Sequence, residues 1–174
     1  MQLGDDDFTL FGLPARQALD RAELDARRRE LQAQVHPDRF AHEGAAAQRV
    51  AMQWAVRVNE AYTRLKDPLS RATTLCALRG VAVDAERNTA MPAAFLMQQM
   101  AWREALEEAG SLAAVEALDA EMAAEEGKMQ AELTRLLDEE NNATAAAALV
   151  RALMFLARFR QDIENRLETL DPTR

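Results

Sequence analysis

A chain of 174 residues can form one domain with a full core, or two small ones. With 49% hydrophobic and 29% charged residues, and only 6 glycines and 5 prolines, it reads as globular, neither disordered nor a turn-rich β-fold. A net charge of −8 argues against non-specific nucleic-acid binding, and a single cysteine, Cys76, rules out an internal disulfide or a multi-cysteine metal or cluster site.

The charge is unevenly placed. Residues 1–80 hold 12 Lys/Arg against 11 Asp/Glu, and residues 81–174 hold 9 against 18, an asymmetry that points to two modules. The opening Met-Gln-Leu-Gly-Asp-Asp-Asp has neither the basic stretch and apolar run of a signal peptide nor the character of a transit peptide. No apolar run reaches membrane-spanning length. The expectation is a cytoplasmic protein with no membrane contact.

In chain order, Asp20-Arg21-Ala22-Glu23 reads as a capping box opening a helix that runs to about Val35. His36-Pro37 ends it, since a residue before proline is driven out of helical geometry. A second long helix is predicted over residues 44–66, with Ala47, Val50, Trp54, Val58, Ala61 and Leu65 on one apolar stripe. Joined by the loop at 36–43, the two form an antiparallel hairpin. Asp67-Pro68 starts a shorter helix that Gly80 ends. Residues 81–91 read as a connector, and a helix from about Pro92 to Ala109 follows, stopped by Gly110.

Ser111 caps the next helix, which runs to about Glu140, with Gly127 inside it as a point of weakness or bending. After Asn141-Asn142 a last helix covers Ala143 to Leu170, before Pro172. Its stripe is Leu149, Leu153, Leu156, Arg160, Ile163, Leu167 and Leu170, with Arg160 as the polar interruption. No strand pattern, internal repeat or extended low-complexity tract is present. The fold class is all-α: a helical hairpin module, then a three-helix module.

One cluster of motifs stands out. His36-Pro37-Asp38 lies between two amphipathic helices. Arg27, Arg28 and Arg29 precede it by two to three helical turns, and Val58-Asn59-Glu60-Ala61-Tyr62 and Leu65-Lys66-Asp67-Pro68 follow. Taken alone, the tripeptide also fits a plain loop in which proline stops a helix and Asp38 serves a turn. With its flanks in order, the set resembles the J-domain of DnaJ-type co-chaperones. Phe8-Thr9-Leu10-Phe11-Gly12-Leu13-Pro14 and His36-Pro37-Asp38-Arg39-Phe40 resemble the HscB family in particular. Ala94-Phe95-Leu96-Met97, Arg103-Glu104 and Arg151-Ala152-Leu153-Met154-Phe155-Leu156 extend that resemblance into the C-terminal half.

The resemblance implies a J-domain at 5–80, a connector at 81–91 and a C-terminal three-helix, scaffold-binding domain at 92–174. It implies a co-chaperone of iron–sulfur cluster assembly, not an enzyme, whose partners are an HscA-type (DnaK-type) chaperone and the cluster scaffold IscU, with no cofactor and no metal. Its chaperone-binding residues would be His36, Pro37, Asp38, Arg27, Arg28 and Arg29. Its scaffold-binding residues would be Leu96, Met97, Met100, Arg103, Glu104 and Phe155.

The physical reading of these residues agrees. Asp38 offers an acceptor, Pro37 stiffens the loop and lowers the entropy cost of docking, and His36 adds a polar contact. Arginines offer charge-assisted hydrogen bonds to an acidic groove and speed association. Three consecutive arginines cannot share one helix face, because each step turns about 100°, so two of them are expected to act. Taken alone, the run also fits a plain solvated helix face. Arg28 stands where J-domains commonly have an aromatic residue, and Ala33 and Gln34 are uncharged where relatives often carry a base, which would favour one dedicated chaperone.

The helix at 92–109 is apolar on two sides: Phe95, Trp102 and Leu106 on one, Leu96, Met97 and Met100 on the other, with Glu104 continuing the second. One stripe can pack in the bundle. The other is either covered by the J-domain or exposed as a partner surface, for which adaptable methionines are suited. Phe155 lies well off the last helix's main stripe, and Ala101 stands where relatives often carry a carboxylate.

Three other readings fit less well. A general J-domain co-chaperone for unfolded clients often carries a Gly/Phe-rich linker and a Cys-rich zinc module, neither of which is here. An acid–base enzyme built on His36 and Asp38 lacks a nucleophile or phosphate loop in a convincing context. A metal site from His36 and His42 lacks ligand spacing. Cys76 reads as a buried helix residue.

Overall fold

The computed structural model describes residues 2–40, 42–85, 87, 91 and 93–171. Among the described residues there are seven α-helices, one 3-10 turn and no strand. The chain divides into two compact units, Met1–Leu75 and Cys76–Arg174.

The first unit begins with a short helix that helical periodicity did not reveal, α1 (Asp7–Phe11). Five residues are too few for a period, so its ends hold it. The Asp6 carboxylate accepts from the Phe8 and Thr9 amides, and Gly12, at φ 64°, turns the chain out in the left-handed region. Phe8, Leu10 and Phe11 are buried. Asp7 is buried too, and two arginines meet it. Arg57 reaches its Oδ1 at 2.7 Å and Arg64 its Oδ2 at 2.6 Å. Burial pushes the Asp7 carboxyl up, but hydrogen bonds and charge from Arg64 and Arg57 outweigh it and hold the pKa below 3.8.

Helix α2 (Arg21–Val35) opens at Asp20, whose side chain accepts from the Ala22 amide at 2.8 Å. It ends at His36 in extended backbone, as the following proline demands. A 3-10 turn, Pro37–Phe40, leads to α3 (Ala45–Lys66), which starts at Gly44 with φ 91°. Pairing is antiparallel: Tyr62, near the end of α3, bonds Arg21 and Asp25 at the start of α2, while Gln32 bonds Asn59 nearer the loop.

The buried stripe of α3 differs from the expected one at Val50, which is 50% exposed; Ala51 is buried instead. Ala51, Val58 and Leu65 form a strict seven-residue buried series, and Val50 sits one step off it. Helix α4 (Pro68–Leu78) is capped by the Asp67 carboxylate, which accepts from the Ser70 amide at 2.7 Å. It closes through Gly80, at φ 78°, with the Val81 amide reaching back to the Cys76 carbonyl at 2.9 Å.

The second unit is a bundle of α5 (Ala93–Glu108), α6 (Leu112–Asp138) and α7 (Ala143–Leu170). Pro92 and Pro172 lie outside the described residues, as does part of the expected connector. Helix α6 runs unbroken through Gly127, where an added Cβ would meet nothing within 4 Å. The stripe of α7 is buried at Leu149, Leu153, Leu156, Ile163 and Leu167. Its polar interruption is matched across the bundle: Arg160 pairs with Asp119 at 3.2 Å and Glu126 at 2.7 Å, both on α6. Buried Cys76 rests its thiol 3.7 Å from the Ala143 carbonyl, and burial raises its pKa.

Candidate docking sites

The His36-Pro37-Asp38 tripeptide forms the turn between α2 and α3. The Asp38 amide donates to His36 Nδ1 at 3.3 Å, and the Asp38 carboxylate lies 3.6 Å from the same nitrogen. The Asp38 side chain is 89% exposed and that of His36 57%, so both polar ends face solvent while Pro37 is half-buried.

The turn is braced from below. Arg39 donates to the Ala33 carbonyl at 2.8 Å and satisfies one of the carbonyls orphaned at the end of α2. Gln32 reaches Asn59 at 3.1 Å, tying α2 to α3 beneath the tripeptide. Sequence reasoning gave Arg39 no task. Its signal was position: an arginine four residues past a helix end can turn back onto the last carbonyls.

The arginine run splits three ways, as its 100° steps require. Arg27 is exposed and pairs with Glu30 at 3.1 Å. Arg29 is exposed with no ion pair among the described residues. Arg28 is half-buried, its guanidinium 4.1 Å from the centre of the Tyr62 ring.

In the second unit, α5 presents its two apolar sides differently. Phe95 and Trp102 enter an aromatic cluster with Phe155 and Phe159 of α7. Phe95 meets Trp102 edge-on at 5.7 Å and Phe155 at 5.9 Å, and Trp102 stacks on Phe159 at 6.5 Å. The Trp102 indole donates to Glu121 at 3.0 Å, satisfying its only polar atom. On the other side Leu96, Met97 and Met100 are 47%, 79% and 74% exposed. Arg103 and Glu104 are exposed beside them.

Phe155 is half-buried rather than free: it packs on Phe95 and Phe159, and the Arg103 guanidinium lies 5.4 Å over its ring. That cation–π contact links Phe155 of α7 to Arg103 of α5, the helix that exposes Leu96, Met97, Met100 and Glu104. Among the described residues no group of three or more His, Cys, Asp or Glu side chains could hold a metal ion, and no helix is long and apolar enough to cross a membrane.

A turn of this kind on a helical hairpin, followed by a three-helix bundle, is the architecture of a J-domain co-chaperone. The family model described as the HSCB C-terminal oligomerisation domain matches residues 91–164. The co-chaperone protein HscB homolog of Burkholderia multivorans is 52% identical over 173 residues, covering 98% of this chain and 99% of its own. Among solved structures, chaperone HscB from Vibrio cholerae superposes with a TM-score of 0.79 at 35% identity, covering 95% of this chain and 99% of its own. Human co-chaperone protein HscB does so with a TM-score of 0.86 at 25% identity, covering 95% and 84%. The chain belongs to the HscB family of co-chaperones, which act in iron–sulfur cluster assembly with Hsp70-type chaperones and scaffolds.

Proposed function

We propose that this chain is a two-site adaptor of the cytoplasm that delivers an IscU-type scaffold to an HscA-type chaperone and stimulates that chaperone's ATPase. It makes and breaks no bond itself. The His36-Pro37-Asp38 turn engages the ATP-bound chaperone, aided by arginines from the run Arg27, Arg28 and Arg29. The face formed by Leu96, Met97, Met100, Arg103, Glu104 and Phe155 holds the scaffold. Holding both partners on one chain raises the concentration each sees of the other, which speeds their encounter without chemistry.

The observation that carries the reading is the exposure of Leu96, Met97 and Met100 on a helix whose other apolar side is already used in the core. Burying such a patch is favourable, at about 25 cal/mol per Å² removed from water. An isolated bundle gains nothing by leaving it open.

The test is the ATPase rate of an HscA-type chaperone with this protein added, with and without the IscU-type scaffold, repeated with Asp38→Asn. Stimulation that is largest with scaffold present and lost in the variant is the expected result. Stimulation indifferent to scaffold would favour a general J-domain co-chaperone, and none at all would reject the assignment of the turn.

A further inference from the structure

The aromatic ring of Tyr62 is surrounded by cations on the face of the hairpin that carries the arginine run. Arg28 lies 4.1 Å from its centre, Arg21 5.5 Å and Lys66 5.8 Å. The ring itself is fixed. Tyr62 is buried, its hydroxyl donates to Asp25 at 2.7 Å, and it accepts from Arg21 at 2.8 Å.

Arg28 is held by little else. Its Nε is buried with no hydrogen-bond partner, and it forms no ion pair among the described residues. Its neighbours differ: Arg27 is tied to Glu30, and Arg29 stands in solvent. Of the three, only Arg28 lies over the Tyr62 ring, and it has no ion pair among the described residues.

We infer that Tyr62 is a positioning residue for chaperone binding, holding the Arg28 guanidinium by cation–π stacking so that it meets an acidic surface of the chaperone already oriented. This rests on the assignment of the hairpin as the chaperone-binding site. A long side chain ordered in advance loses less rotamer freedom on docking, and the planar guanidinium stacks where a lysine ammonium would not lie flat. The effect belongs to affinity. The maximal stimulated rate depends on the tripeptide and stays unchanged.

The experiment titrates the chaperone's ATPase with the full chain and reads the half-maximal concentration separately from the maximal rate. It uses a double-mutant cycle of Tyr62→Leu and Arg28→Ala, with Tyr62→Phe and Asp38→Asn alongside. Tyr62→Leu is expected to raise the half-maximal concentration roughly three- to tenfold, the range a partly desolvated cation–π contact supports. It should leave the maximal rate alone and add nothing in the Arg28→Ala background. Tyr62→Phe, which keeps the ring, should restore most of the affinity. Arg28→Lys leaves the core untouched and should weaken binding as Arg28→Ala does, which keeps the inference testable if Tyr62→Leu does not fold.

Additive effects in the cycle, a Tyr62→Phe as weak as Tyr62→Leu, or an Arg28→Lys equal to wild type would each overturn the platform alone, provided Asp38→Asn still abolishes stimulation. Stimulation that survives Asp38→Asn, or a wild-type chain that does not stimulate, would overturn the underlying site assignment with it.

Discussion

Replacing Asp7 by asparagine keeps the shape of the side chain and removes the charge that two arginines share. The Asp7 side chain is 5% exposed, with Arg57 at 2.7 Å and Arg64 at 2.6 Å. Removing one partner of a buried pair costs about 3–5 kcal/mol, because the remaining charge is left uncompensated. Here the cost falls lower. The Arg64 side chain is 42% exposed and recovers water, whereas Arg57, 18% exposed, does not fully. A loss of about 2–3 kcal/mol follows, and for a unit of this size it lowers the melting temperature by roughly 8–24 °C.

Urea unfolding followed by circular dichroism measures the loss, and amide exchange in α1 and α3 shows where it falls. The pH dependence gives a second handle. Because the folded Asp7 pKa lies below 3.8, its contribution is fully present above 3.8 and is lost as pH falls through the folded value. The gap between wild type and variant should therefore close in acid. A loss under about 0.5 kcal/mol, the range of an ordinary surface substitution, or a gap unchanged below pH 3, would refute the claim that the clamp holds α1 in place.

Met97→Asp with Met100→Asp should weaken scaffold binding at least tenfold by calorimetry while leaving the thermal melt within about 1 kcal/mol of wild type, since both side chains are largely exposed; unchanged binding would remove the patch from the interface. Gly127→Ala should stabilise the second unit by about 0.5–1 kcal/mol, because the added methyl meets nothing within 4 Å in an uninterrupted helix; a destabilised variant would show a contact the glycine permits. Cys76, buried and with its pKa raised by burial, should react with a thiol reagent only after denaturant is added, and rapid labelling of the native chain would contradict that burial.

The long elements were legible because their signals are local. Asp20, His36-Pro37, Pro68, Ser111 and Asn142 each mark a helix end that the backbone follows. Where periodicity had to choose between adjacent positions it could fail: Val50 lies four residues before Trp54, Ala51 seven before Val58, and only tertiary packing selects the alanine. The turn carrying His36, Pro37 and Asp38 was readable because proline fixes its geometry. The partners of Arg28 and Phe155 were not. Tyr62 is thirty-four residues from Arg28 and Phe95 sixty from Phe155, and no pattern along one helix encodes a ring met across the fold.

The two tryptophans fall one to each unit, Trp54 half-buried on the turn-bearing hairpin and Trp102 buried against Phe95 and Phe159. Each unit thus carries its own optical label. With either indole replaced by phenylalanine, the emission of the other reports one unit's melting in the intact chain, and occupancy of the α5 surface should register through Trp102 while Trp54 stays silent.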